Sequence, residues 1–124
     1  MLRTECLYIG PLYSIAVLFD NDKSEVAEFI ESLLEADKAS LTVLIDHILE
    51  IGPPHNTEKF RNEGEGIYSL KTKNVRIYGF FDGTKVLTLA IGFMKNAGGP
   101  KVERRLHKRA VELKENLFRE RRSS

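Results

Sequence analysis

"IYSLKTKNVRIYGFFDGTKVLTLAIGFM", residues 67–94, decides how this chain folds. Its apolar residues fall with the period of strands over about 67–72, 74–81 and 85–94. Asp82-Gly83, between the last two runs, is the signature of a two-residue type I′ hairpin turn. Such a turn pairs Tyr78 with Leu87 and Arg76 with Leu89, and side-chain alternation then puts Arg76, Tyr78, Phe80 and Lys95 on one face. Lys71, Lys73 and Arg76 crowd the far end within six residues, with no carboxylate among them. Two readings stay open: a hydrated sheet end whose lysines discourage pairing with other chains, or a surface that holds a polyanion.

On the N-terminal side, residues 5–9 and 12–19 read as one interrupted strand or two short ones, separated by Gly10-Pro11. "DNDKSEVAEFIESLLEAD" (20–37) begins a helix, with Asp22 and Glu25 in capping-box spacing. Val26, Phe29, Ile30, Leu33 and Leu34 form its apolar stripe, and Glu28, Glu31 and Glu35 face outward. A second helix over about 38–51 turns Leu41, Leu44, Ile45, Ile48 and Leu49 inward, and Gly52-Pro53-Pro54 ends it. "HNTEKFRNEGEG" (55–66) reads as a polar connector. On the C-terminal side "NAGGP" breaks the chain, and Pro100 fits the start of a last helix reaching about 121. Its stripe is Val102, Leu106, Ala110, Leu113 and Leu117, with Lys101, Arg104, Arg105 and Lys108 along another face. The order β–α–α–β–β–β–α over a single domain, residues 1–124, implies an α+β layer of helices on a mostly antiparallel sheet.

The totals are those of an ordinary globular chain, 42% hydrophobic and 30% charged, so a packed core is expected rather than disorder. No apolar run approaches the ~20 residues of a membrane-spanning helix, and the N-terminus lacks the apolar core and cleavage site of a signal peptide. The single cysteine, Cys6, excludes an internal disulfide framework, fits a reducing cytoplasm and reads as a small buried hydrophobe. The net charge of +1 hides an asymmetry. Residues 1–70 carry five Lys/Arg against thirteen Asp/Glu, and residues 71–124 carry fourteen against five. That split suggests a basic working surface in the C-terminal half, or charge complementarity between the halves.

Three segments in order, "ILEIGPPHNTEKF" (48–60), "GIYSLKTKNVRIYGFFDGTKVLTLAIGFMKN" (66–96) and "PKVERRLHKRAVELKENL" (100–117), together resemble the RelE/HigB-like toxins of type II toxin–antitoxin systems, in their phage-derived branch. That branch has a helix ending in Gly-Pro-Pro and a Gly-(Leu/Ile)-Tyr-Glu-Leu-(Arg/Lys) strand. A strand with Arg before an aromatic run, a Gly-Phe-x-Lys-Lys segment and a proline-started basic helix follow. The resemblance implies a RelE-like fold, with two N-terminal helices and a C-terminal basic helix packed on the sheet. It implies a ribosome-dependent, metal-independent mRNA endoribonuclease without a cofactor, acting in the cytoplasm and paired with a helix-turn-helix antitoxin. The chain departs from the pattern at Ser69, where the family has Glu, and at Asn96, the second residue of the Lys-Lys pair. It also has no tyrosine after Tyr78 to serve as an acid–base group. The competing class is a non-catalytic phage-derived RNA- or protein-binding module that keeps the fold and the basic surface.

Metal-independent RNA cleavage by an attacking 2′-hydroxyl needs proton transfer, stabilisation of charge on the phosphate, and protonation of the leaving oxygen. Arg76 and Lys95 suit the charge role, and Lys71 or Lys73 can act as a base if neighbouring cations depress its pKa. Tyr78 can position a base by stacking, while Lys73, Lys101, Arg104, Arg105 and Lys108 suit RNA phosphates. His47 and His55 read as surface residues. His107 can replace the missing acid–base group if the last helix packs across the mouth of the site. No histidine pair has metal-ligand spacing with a third ligand.

Overall fold

Two strands open the chain: β1 (Leu2–Ile9) and β2 (Ser14–Asp20) form an antiparallel hairpin in the computed structural model, which describes residues 1–123. The helices α1 (Glu25–Glu31) and α2 (Glu35–Ile51) follow, then β3 (Phe60–Gly64), β4 (Ile67–Lys71), β5 (Val75–Phe81), β6 (Val86–Met94) and α3 (Gly99–Ser123). All six strands join one sheet in the order β1-β2-β6-β5-β4-β3. Every neighbouring pair is antiparallel except β2 and β6, which run parallel. The expectation of a RelE-like fold with two N-terminal helices is therefore corrected, and the mostly antiparallel sheet carries one parallel pair. Strands occupy the N-terminus, the first two helices lie between β2 and β3, and the sheet is mixed. The physical reason lies in "IAVL", residues 15–18, all buried. A continuous apolar run belongs inside a sheet covered on both faces, where parallel pairing is found.

Both faces are indeed covered. Ile15, Val17, Leu70, Val75, Ile77, Leu87 and Leu89 pack under α1 and α2. Leu18, Ile67, Tyr78, Phe80, Ala90, Ile91 and Phe93 pack against α3. The five inward residues expected on α2 are all buried. On α3 the buried positions are Ala110, Val111 and Leu117, with Leu106 and Leu113 half-buried beside them. Leu34 departs from the expected stripe: α1 stops at Glu31, and Leu34 becomes the N-cap of α2, 76% exposed. The cap of α1 is Ser24, whose Oγ accepts from the Ala27 N–H at 3.2 Å. Asp22 lies in a turn closed by reciprocal backbone bonds between Asp20 and Lys23, before the helix begins. Cys6 is exposed rather than buried, because β1 is an edge strand with few inward positions.

The hairpin that decides the fold has the expected strands in a different register. Residues 82–85 form the connection, closed by the Asp82 N–H to the Val86 carbonyl at 2.8 Å. Phe81 pairs with Leu87 and Tyr78 with Ile91, not with Leu87. The longer loop shifts the pairing by an odd number of residues, and an irregularity between Tyr78 and Gly79 shifts it by one more. The two shifts restore the parity, so Lys95 keeps the side of the sheet shared by Arg76, Tyr78 and Phe80. Gly79 is what lets the strands close at the irregularity: a Cβ there would sit 2.6 Å from the Thr88 carbonyl oxygen.

Candidate nucleic-acid interface

Two cross-strand rows form the floor of the site on the α3 side of the sheet. One row runs Arg61–Ser69–Tyr78–Ile91 across β3, β4, β5 and β6. The next runs Lys71–Arg76–Phe93. Residues directly opposite have Cβ atoms about 4.5–5.5 Å apart, and like charges so placed repel. Lys71 opposite Arg76 is such a pair. Among the described residues, Lys71, Lys73, Arg76 and Lys95 have no carboxylate within ion-pair distance.

The first turns of α3 wall this floor and complete a trough of about 780 Å³. Arg61, Lys71, Arg76, Arg104 and Lys108 line it, with Glu63, Glu65 and Glu103 as its carboxylates and Tyr78 and His107 as its rings. A smaller recess of about 380 Å³ adjoins it around the β4–β5 turn. There Lys59, Lys71, Lys73, Arg76 and Lys95 face a single carboxylate, Glu58, so its charge balance favours an anion. Lys71 and Arg76 line both cavities and Lys73 and Lys95 only the recess. Of the α3 cations, Arg104 and Lys108 line the trough, whereas Lys101 and Arg105 are exposed outside it.

Several side chains are already held. The Arg76 Nη1 donates to the Thr72 carbonyl at 2.5 Å and the Val75 carbonyl at 3.0 Å, so the guanidinium closes the β4–β5 turn with part of its donor set. Tyr78 is buried, stacked edge-on against Phe93 and with its ring centroid 6.1 Å from that of His107. Burial, reinforced by Glu63 and Glu103, pushes its phenol up to about 12, while Arg76 opposes the rise. His107 packs across the mouth of the trough: Nε2 donates to the Gly64 carbonyl at 3.0 Å, and Nδ1 lies 4.0 Å from the Glu65 carboxylate. The Lys114 ammonium adds a 2.5 Å bond to the Glu65 carbonyl, so α3 pins the β3–β4 turn at two places. His47 and His55 are exposed away from this site.

Sequence reasoning missed the contribution of β3. Read as a connector, residues 60–64 supply Arg61 and Glu63 to the trough, and the Ser69 hydroxyl donates to Glu63 at 2.5 Å. A carboxylate thus stands beside Ser69 although the β4 position itself lacks one. The only sequence signal for β3 was Phe60, its single buried residue. Among the described residues no cluster of three His, Cys, Asp or Glu side chains is placed to hold a metal ion, and no helix is long and apolar enough to cross a membrane.

No protein-family model, no curated protein and no solved structure matches this chain.

Proposed function

We propose that this protein is a metal-independent endoribonuclease that cleaves mRNA on the ribosome, the toxin of a type II toxin–antitoxin pair acting in the cytoplasm. The observation that carries the reading is Lys71 set directly opposite Arg76, neither with an ion-pair partner among the described residues, on the floor of a trough that also holds three carboxylates and an imidazole. Two facing cations repel, and a phosphate between them removes that cost. The resemblance of residues 66–96 to the RelE/HigB-like strands supports the same chemistry.

In this reading the RNA phosphate rests against Lys71 and Arg76, which stabilise the charge gathering on the phosphorane. Glu63, oriented by Ser69, accepts the proton of the attacking 2′-hydroxyl. His107, held by its Nε2 bond to the Gly64 carbonyl, presents Nδ1 to return a proton to the leaving 5′-oxygen, giving a 2′,3′-cyclic phosphate and a 5′-hydroxyl. Lys73 and Lys95 take the next phosphate in the recess, and Arg104 and Lys108 steer the strand through contacts that salt weakens. The partners are mRNA, the ribosome and a helix-turn-helix antitoxin.

Induced expression in a bacterium, with translation followed alongside mapping of new mRNA 5′ ends, tests the reading. Rapid arrest with cuts inside translated codons is expected, relieved by Lys71→Ala, Arg76→Ala and Glu63→Gln in variants that keep the parent's circular dichroism. Arg76→Lys keeps the charge but gives up the fork that closes the turn, so it should retain partial toxicity. Normal growth and intact mRNA with folded protein present would leave the non-catalytic binding module as the answer.

A further inference from the structure

A second surface lies on the other side of Lys71. An open groove of about 650 Å³ runs between the C-terminal half of α2 and the β4–β5 turn. Val43, Ile51, Pro53 and Pro54 form much of its apolar lining. Val43 is 71% exposed and Ile51 69%, although both are aliphatic and lie on a helix whose inward positions are already filled. They are eight residues apart on one helix, so they span about 12 Å, with His47 midway between them in the same lining. That length suits two turns of a partner helix laid along α2, whose anchors would recur at i, i+3/i+4 and i+7.

Charge selects the occupant. Lys59, Lys71 and Lys73 line the strand side of the groove, and no Asp or Glu lines it. Asp46 and Glu50 are exposed on α2 itself, outside the lining. We propose that this groove docks an amphipathic helix of a protein partner, with its apolar stripe on Val43 and Ile51 and an acidic flank against Lys59, Lys71 and Lys73. A helix with the opposite charge order would meet lysines with lysines and is rejected. Because Lys71 lines the groove, the recess and the trough alike, a docked acidic flank takes up a cation that RNA needs. This competition, unlike the docking, rests on the RNA reading given above.

The test pans phage-displayed random helical peptides against the full chain, then measures selected fluorescent peptides by anisotropy. Enriched sequences should carry apolar residues at helical spacing with Asp or Glu on one flank. Val43→Asp and Ile51→Asp change exposed positions and should keep the parent's circular dichroism, while weakening binding at least about tenfold. Lys59→Glu and Lys73→Glu should weaken it further at low salt than at high salt. No enrichment, or peptides that bind Val43→Asp and Ile51→Asp as well as the parent, would overturn the docking site. So would loss of oligouridylate binding in those two variants with peptide binding intact, which would give the groove to RNA bases. A bound peptide should also displace fluorescent oligouridylate. Peptide binding without displacement would remove the competition and keep the docking site. A parent chain that binds peptide but no RNA would remove the ribonuclease reading alone.

Discussion

The Ser69 hydroxyl, on a residue only 1% exposed, donates a 2.5 Å hydrogen bond to the Glu63 carboxylate and so ties the edge strand β3 to β4. The bond fixes a half-buried carboxylate on the same floor as Tyr78, and Glu63 is the first charge after burial itself to raise the tyrosine's pKa. A serine and a glutamate on adjacent strands thereby position one of the three carboxylates that meet the cations of the trough.

Tyr78 should ionise about two units above an ordinary tyrosine near 10, at about 12. A raised pKa means that the folded protein holds this proton more tightly than the unfolded chain does. The stability linked to Tyr78 is complete below about pH 10 and is lost as pH rises from there through about 12. Glu63→Gln should lower the value, though only in part, because burial is the larger cause. Tyrosinate absorbance against pH, taken as the difference between the parent and Tyr78→Phe, reads this directly. Ionisation near 10 in the parent would show that the phenol is not desolvated, and no change in Glu63→Gln would show that the carboxylate does not face it.

How much of this was legible depended on whether a residue's neighbours lie on its own strand. Arg76, Tyr78 and Phe80 were readable as a face because alternation along a strand is local. Their partners on β3 were not, because residues 60–64 bury one side chain and show no alternation. The register of β5 against β6 was misread through the four residues 82–85, yet the irregularity at Tyr78/Gly79 restored the face of Lys95. The N-terminal strands were left open between two readings for a different reason. Nothing in the first twenty residues distinguishes a hairpin at the sheet edge from one interrupted strand, and the parallel pairing of β2 with β6 is a contact across some seventy residues.

Gly92→Ala should destabilise the fold by roughly 1–3 kcal/mol, the usual cost of overfilling a packed site. Gly92 lies on β6 facing α1, and a Cβ there would overlap the ring of Phe29. Phe29→Leu removes the flat ring that occupies the space. The two changes together should therefore cost less than the sum of the singles, by about 0.5 kcal/mol or more. Urea unfolding of the four proteins at constant m-value measures the difference. Strict additivity would mean that Phe29 does not fill the notch left by Gly92.

The Arg109 guanidinium bonds the Glu25 carboxylate at 2.8 Å, joining the first residue of α1 to α3 although these helices cover opposite faces of the sheet. That bond holds Glu25 below its ordinary value of 4.5 and raises Arg109 above its own. Both side chains are about half exposed, 48% and 56%, so solvent screening limits the pair to under about 1 kcal/mol. A depressed carboxylate contributes its stability above the unfolded pKa and loses it as pH falls through the folded one. A double-mutant cycle with Glu25→Gln and Arg109→Gln should therefore give a small favourable coupling near pH 7 that disappears in acid below 4.5. High salt should shrink the coupling at pH 7 as well. A coupling that persists in acid would mean that the two residues interact through packing of their aliphatic stems rather than through charge.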